Sequence, residues 1–340
     1  MEAIYKLYPA PVYTLMKKGV WPFEKILPSY CNFSLLHPFH RQLLPFYPKA
    51  TESFDFKGYD VILSSSYACS KNIIKEKQQL HICYCHTPMR AVYDQFDHYI
   101  AKFPWWKKAV FKHISHNIRS WDIACCNRVD AFIANSKFIA QRIERIYGVI
   151  PEKVIYPPVD VESFSVADKK EDYFIYLGRL APHKRVDILI EAFSILPHLK
   201  LLIVGDGVEM ERLKNKATKN VDFLGYQPDS VCKDLLKKAK GYIFMGVEDF
   251  GISLVESLAA GTPLIALNDG GACEILTDSF LGKKVLKQNV ASLLESLQRF
   301  DSEEYDPKIL RGASMKFSKG RFLNEYQQFV EAKCNLFFGS

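Results

Sequence analysis

Two doubly wound parallel α/β sheets are the architecture to which this 340-residue chain points, on three grounds. The length is that of two domains. Short apolar runs alternate with helix-length amphipathic stretches, the pattern of parallel strands joined by crossover helices. A break falls mid-chain, at Tyr156-Pro-Pro-Val-Asp-Val-Glu-Ser-Phe164 and the polar run Ala167–Asp172. Adjacent prolines interrupt helix and ladder alike. The expected division is a first domain over 1–165, a second over 166–320, and a C-terminal helix over 321–340 that can cross back to the first.

In the first half the apolar runs predict strands at Val12–Leu15, Val61–Ser64, His81–Cys85, Ala131–Ala134 and Lys153–Ile155. Ser136–Tyr147 has helical periodicity, with Ser136 as N-cap. The second half alternates more cleanly. Strands are expected at Tyr173–Leu177, Lys200–Val204, Val221–Leu224, Gly241–Met245 and Pro263–Leu267. Helices are expected at Asp187–Leu196, Val208–Lys216, Asp229–Lys238 and Ser253–Ala260. In such sheets ligands bind where strand C-termini meet helix N-termini.

Composition removes several function classes. With 48% hydrophobic and 24% charged residues the chain is neither disordered nor fibrous. No run of about 18 apolar residues exists to span a bilayer, and the N-terminus lacks the layout of a signal peptide. The nine cysteines are irregularly spaced without a C-x-x-C pair. That speaks against a zinc ribbon or a redox dithiol and for free thiols in a reducing cytoplasm. Cys83 and Cys85, two apart, suit a shared strand face.

The net charge of +7 is unevenly placed, at +8 over residues 1–170 and −1 over 171–340. The first half therefore suits an anionic partner. No helix-turn-helix, zinc-finger or RNP signature points to nucleic acid. The densest basic segment, Lys102 to His113, holds four Lys, two Trp and two Phe without an acid. On a helix starting near Pro104, Trp105, Trp106 and Phe111 can share an apolar side flanked by Lys107, Lys108 and Lys112. Either that side lies at headgroup depth on an anionic membrane surface, or the rings pack on their own domain and the lysines are solvated.

Three loops of the second half carry chemistry. Gly178-Arg-Leu-Ala-Pro-His-Lys-Arg185 follows a strand, where Gly178 permits a sharp turn. Arg179 and Lys184 can neutralise a diphosphate there, although a lone Arg and Lys are commonly surface charges. Glu248-Asp-Phe-Gly-Ile-Ser-Leu-Val-Glu256 leads into a helix. Gly251 lets backbone approach a ligand, and the N–H groups from Gly251 to Leu254 open a helix N-terminus that suits phosphate. Glu256, a turn further in, can chelate a ribose diol or be one acid on an exposed face. Asn268-Asp-Gly-Gly-Ala-Cys-Glu274 follows the next strand and again brings backbone close to something.

The order G-R-L-x3-K, G-D-G, E-x7-E, G-G-x2-E resembles that of the family 4 retaining glycosyltransferases of GT-B fold, two Rossmann-like domains facing a central cleft. The combination is specific although each piece is weak, and the likeness runs from residue 1 to about 335. It implies that Arg179 and Lys184 bind the donor diphosphate, with Gly178 and Gly205 in the same loops. It also implies that Phe250, Gly251, Ile252, Ser253 and Leu254 place backbone near the phosphates, that Glu256 binds the ribose, and that Glu248 faces the transferred sugar. Cys85-His-Thr-Pro-Met-Arg90 ends a strand, and His86 resembles the family's active-site histidine, where a lone His is otherwise structural. The segments Ile133–Ser136 and Tyr156–Asp160 also match.

The H-T-P-M-R version is similar to a mannosyltransferase-like subgroup of O-antigen and surface-polysaccharide assembly, which makes GDP-mannose the leading donor. The implied reaction is glycosyl transfer with retention, from a nucleotide-sugar to a lipid-linked or saccharide acceptor, on the cytoplasmic face of the membrane. No D-x-D triplet occurs, so the two cations are expected to do a metal's work, and no metal is required. The family's opening strand and Gly-Gly loop have no counterpart before Met1-Glu-Ala-Ile-Tyr-Lys-Leu7, which resembles its first helix. Roughly 15–20 residues are missing by that measure. The alternative is a catalytically impaired sugar-nucleotide-binding or scaffolding relative. An epimerase of the same fold would need further proton-shuttling groups beside His86 and Glu248.

Overall fold

The computed structural model describes residues 1–33, 43–101 and 103–339. By its contacts the chain divides into two units, Met1–Tyr156 together with the residues from Leu323 onward, and Pro157–Phe322.

The first unit runs α1 (Glu2–Leu7), β1 (Val12–Thr14), β2 (Ile26–Pro28), α2 (Tyr47–Glu52), β3 (Val61–Ser66), β4 (Leu80–Cys85), α3 (Phe96–Ala101), α4 (Trp105–Ala124), β5 (Ala131–Ala134), α5 (Lys137–Tyr147) and β6 (Lys153–Val154). Its main sheet is parallel, in the order β3-β4-β5-β6. β4 has neighbours on both sides and is buried at every position, as an interior parallel strand must be. The strand expected at 12–15 forms, but outside this sheet. It pairs in parallel with β2 as a separate two-stranded sheet. β2 offers only Ile26 and Leu27 between Pro22 and Pro28, too short a run to register as a strand signal.

α5 begins where its sequence says. Ser136 Oγ accepts from the Ile139 N–H at 3.1 Å, and Gly148, at φ 68°, closes the last turn by donating to the Glu144 carbonyl. Ile139, Ile143 and Tyr147, each a turn apart, bury against Cys83, Cys85 and Phe132. Burial of this kind contributes roughly 1.5–3 kcal/mol per large apolar side chain. Cys83 and Cys85 thus share one core cluster, and all nine cysteines are free.

α4 corrects the expected apolar side. Phe111 turns inward, stacked on Phe96 at 5.8 Å and edge-on to Phe103 at 5.6 Å. Trp105 (82% exposed) and Trp106 (52%) face solvent instead. A helix cannot put positions 105, 106 and 111 equally on its buried stripe, and the Phe96–Phe103 pocket captures Phe111. Lys102 lies outside the described residues.

The second unit runs β7 (Glu171–Leu177), α6 (Val186–Ile195), β8 (Leu201–Val204), α7 (Met210–Lys214), β9 (Val221–Gly225), α8 (Asp229–Lys238), β10 (Ala239–Phe244), α9 (Ile252–Ala259), β11 (Leu264–Leu267), α10 (Ala272–Ile275), β12 (Gly282–Val285), α11 (Val290–Gln298) and α12 (Pro307–Ser314). α13 (Lys319–Phe338) then passes from this unit to the first. The sheet is parallel, in the order β12-β11-β10-β7-β8-β9. The order reverses between β7 and β10, and a crevice at a switch point of this kind opens at the strand C-termini.

Residues 157–165, expected with the first domain, belong to the second unit. The Val159 N–H donates to the Phe317 carbonyl at 3.0 Å, Val161 is fully buried, and an Arg311 N–H donates to the Phe164 carbonyl.

Candidate functional site

The loops that follow β7, β8, β10 and β11 all leave the same edge of the second sheet, because the strands are parallel. They are fastened in pairs. The Leu180 N–H donates to the Asp206 carbonyl at 2.9 Å, and the Glu209 N–H to the Leu180 carbonyl at 3.2 Å. A Cβ on Gly205 would stand 2.0 Å from the Gly178 carbonyl oxygen, so only glycine lets these two loops close. On the other side of the switch point, the Gly271 N–H donates to the Glu248 carbonyl at 2.8 Å. The three motifs singled out in the sequence are therefore one construction within the second unit.

Its charges are disposed unequally. Arg179 is exposed, and its guanidinium takes no partner among the described residues; its carbonyl accepts from the Tyr176 hydroxyl at 3.1 Å. Lys184 is half-buried and pairs with the Glu248 carboxylate. Arg185 was not singled out from sequence. It sits in the left-handed region at φ 54°, a conformation that costs a non-glycine residue of order 1 kcal/mol. Its guanidinium pairs with Asp187 at 3.1 Å and donates to Gln288 Oε1 at 3.0 Å. Gln288 in turn donates to the Met245 carbonyl at 2.8 Å. Arg185 stands in a visible Lys-Arg doublet, whereas nothing local announces Gln288.

α9 opens with Gly251 at φ 106° as its N-cap. The Ile252 and Ser253 N–H groups take no partner among the described residues, and Ile252 is exposed. Ser253 Oγ accepts from the Tyr242 hydroxyl at 2.8 Å, which fixes the first turn to β10. Leu254 departs from the expectation of a free donor. Its side chain is fully buried and its N–H is spent on the Gly251 carbonyl at 3.1 Å. Phe250 is likewise a packing residue, edge-on to Phe317 at 5.4 Å. Glu256 is half-buried, and its carboxylate has no hydrogen-bond partner among the described residues. Burial, then the nearby Asp229, raise its carboxyl above the usual range against the opposing pull of Lys233.

His86 belongs to the first unit, at the C-terminal end of β4. Its backbone N–H donates to the Ser66 carbonyl at 2.8 Å, and its Nε2 lies 2.8 Å from Ser65 Oγ. Tyr84 meets the ring edge-on at 5.0 Å. Sequence reasoning found His86 but not Ser65, which sits on the neighbouring strand. Among the described residues no group of three His, Cys, Asp or Glu side chains stands close enough to hold a metal ion. The second-unit site can thus neutralise a polyanion with Arg179, Lys184 and an open helix N-terminus, and can accept hydroxyl hydrogen bonds at Glu256 and Glu248.

The chain resembles known glycosyltransferases in sequence and in fold. The family described as Glycosyltransferase Family 4 matches residues 12–163, and that described as Glycosyl transferases group 1 matches residues 161–313. Phosphatidyl-myo-inositol mannosyltransferase of Mycobacterium leprae is 32% identical over 155 residues, 41% of this chain and 41% of the relative. An uncharacterized glycosyltransferase of Methanocaldococcus jannaschii is 26% identical over 203 residues, 56% of this chain and 55% of the relative. The chain spans about half the length of the curated relatives it matches. In fold it is similar to sucrose-phosphate synthase of Thermosynechococcus elongatus, with a TM-score of 0.77 at 17% identity over 100% of this chain and 92% of the other. It is also similar to Anabaena HepE, solved with UDP and glucose, with a TM-score of 0.67 at 18% identity over 97% and 94%. With one family matched along its first half and the other along its second, the chain belongs to the family 4, group 1 glycosyltransferases of GT-B fold.

Proposed function

We propose that this protein is a retaining glycosyltransferase that moves a sugar from a nucleoside diphosphate to a hydroxyl of a lipid-linked or polysaccharide acceptor. One observation carries the reading. Arg179, Lys184, the open amides of α9 and the unpartnered Glu256 gather at the switch point of one sheet. As the glycosidic bond breaks, charge grows on the departing diphosphate. Fixed cations and amides aimed at it are worth a few kcal/mol per donor group, because they need no reorganisation during the reaction. The acceptor hydroxyl gives its proton to the leaving phosphate on the same face. Glu248 positions the sugar rather than acting as a hydrolytic acid–base group, and His86 is assigned a positioning role on the family resemblance alone. Ser65 keeps His86 oriented through its 2.8 Å contact.

Mannose, carried by GDP, is the leading sugar. Two relatives support it: the Mycobacterium leprae protein above, and a Xenopus laevis protein named GDP-Man:Man(3)GlcNAc(2)-PP-Dol alpha-1,2-mannosyltransferase, 26% identical over 248 residues, 61% of this chain and 50% of the relative. The acceptor we favour is a lipid-linked saccharide of O-antigen or lipopolysaccharide assembly, met on the cytoplasmic face of the membrane. The solvent-facing Trp105 and Trp106 beside Lys107 support a peripheral attachment there. No helix among the described residues is long and apolar enough to cross a membrane.

A panel of nucleotide-sugars read by thermal shift tests the reading, since a ligand that binds only the folded state raises the melting temperature by mass action. GDP-mannose should give the largest rise, and transfer should survive EDTA. No response to any nucleotide-sugar would refute the reading, and strict abolition by EDTA would replace the cation clamp with a metal. Binding without transfer to any acceptor would leave a binding or scaffolding relative.

A further inference from the structure

Lys184 and Glu248 face each other across the donor site as an ion pair, and both are largely withdrawn from water, at 19% and 17% side-chain exposure. Two features hold them there. Gly246 lies so close to the 183–184 backbone that a Cβ on it would stand 3.1 Å from the His183 carbonyl oxygen and 3.1 Å from Lys184 Cα. The chain from Arg185 through Gln288 to the Met245 carbonyl straps the same two loops together. These contacts hold the two loops at the separation at which the pair forms, so a ligand that engages Lys184 competes with Glu248 for it.

The geometry points to a second role for Glu248, which rests on the donor-binding reading above: it makes the site select a diphosphate that carries a sugar over one that does not. A nucleoside diphosphate that engages Lys184 strips the Glu248 carboxylate of its counter-ion and leaves it near like charge. In a partly dry site that is costly. A sugar on the diphosphate offsets the loss, because its hydroxyls donate to the freed carboxylate. A bare nucleoside diphosphate has no such donors. Once the sugar has left, Glu248 recovers Lys184 and the product nucleotide is displaced.

The test is titration calorimetry with GDP, UDP, GDP-mannose and UDP-glucose against the full chain, Glu248→Gln, Lys184→Met and the double variant. Glu248→Gln should bind the preferred bare diphosphate at least fivefold more tightly than wild type, and its preference for the sugar-bearing form should shrink. In the Lys184→Met background the same substitution should change diphosphate affinity less than twofold, because the coupling runs through that lysine. Glu248→Asp, which keeps the charge on a shorter arm, should fall between wild type and Glu248→Gln, and it serves should the glutamine variant lose its fold. Unchanged or weaker diphosphate binding in Glu248→Gln at an intact melting temperature overturns the inference. An equal gain with and without Lys184 overturns it too. Wild type that binds none of the four ligands overturns the donor-site reading itself, a result distinct from either.

Discussion

Glu256 shows what a residue proposed for the site costs the folded chain. Burial and Asp229 raise its carboxyl above the usual range, so the folded state holds its proton more tightly than the unfolded one. The group's contribution is fully favourable below the unfolded pKa and is lost as pH rises through the folded pKa. Glu256→Gln should therefore raise the melting temperature at neutral pH, by a few degrees at most. It should also weaken nucleotide binding about tenfold, the value of one hydrogen bond to a charged group. Wild-type affinity should fall as pH drops into the window just above the ordinary carboxylate range, while that of Glu256→Gln stays flat. Calorimetry at several pH values checks both. Arg179→Ala or Lys184→Ala should lower transfer at least about tenfold, each removing a charged donor from the leaving group; wild-type rates in either variant would refute the diphosphate clamp. These residues were legible because each stands in a spaced motif after a strand. Gln288 was not, because its contact with Arg185 spans 103 positions and leaves no local pattern.

At the scale of elements, α4 is anchored by a charge that its own sequence does not explain. Asp122 is fully buried on its inner face. Lys71, from the turn after β3, meets it at 2.9 Å, Asn72 donates to it at 2.8 Å, and the Tyr93 and Tyr147 hydroxyls donate at 3.0 and 2.8 Å. Removing one partner strands the other charge in the core, at about 3–5 kcal/mol, whereas a well-packed apolar pair in place of both can be neutral. Lys71→Met should thus lower stability to urea by about that amount, and Lys71→Met with Asp122→Leu should recover most of it. Equal losses in the single and double variants would mean that packing, not charge, is what the site needs. The interior strands and their helices were readable as apolar runs and stripes. β12 was not, because Gly282-Lys-Lys-Val285 at the sheet edge carries lysines where an interior strand carries Val or Ile. Edge strands use such charges to discourage further pairing, and the same charges erase their sequence signal.

At the scale of the whole molecule, the +8 carried by residues 1–170 against −1 beyond them asks for an anionic neighbour of the first unit. The N-terminal turn of α4 is where that charge meets exposed aromatic surface: Trp105 and Trp106 outward, Lys107 over the Trp106 ring at 5.1 Å, Lys112 on the solvent side, and no acid from 98 to 121. Indole rings favour the headgroup region, and each lysine near an anionic surface adds about 1 kcal/mol. The protein should co-sediment with phosphatidylglycerol-containing vesicles at low salt and far less at high salt, since the attraction is screened. Lys107→Ala with Lys112→Ala should reduce that binding about tenfold or more, and Trp105→Ala with Trp106→Ala should reduce it at unchanged melting temperature. Phe111→Ala, by contrast, removes a partly buried packed ring and should cost about 1–3 kcal/mol of stability. The two outcomes separate rings that hold the fold from rings that reach outward, which the sequence alone grouped together. Equal binding to phosphatidylcholine vesicles, or none to either, would assign the tryptophans to a partner other than an anionic bilayer.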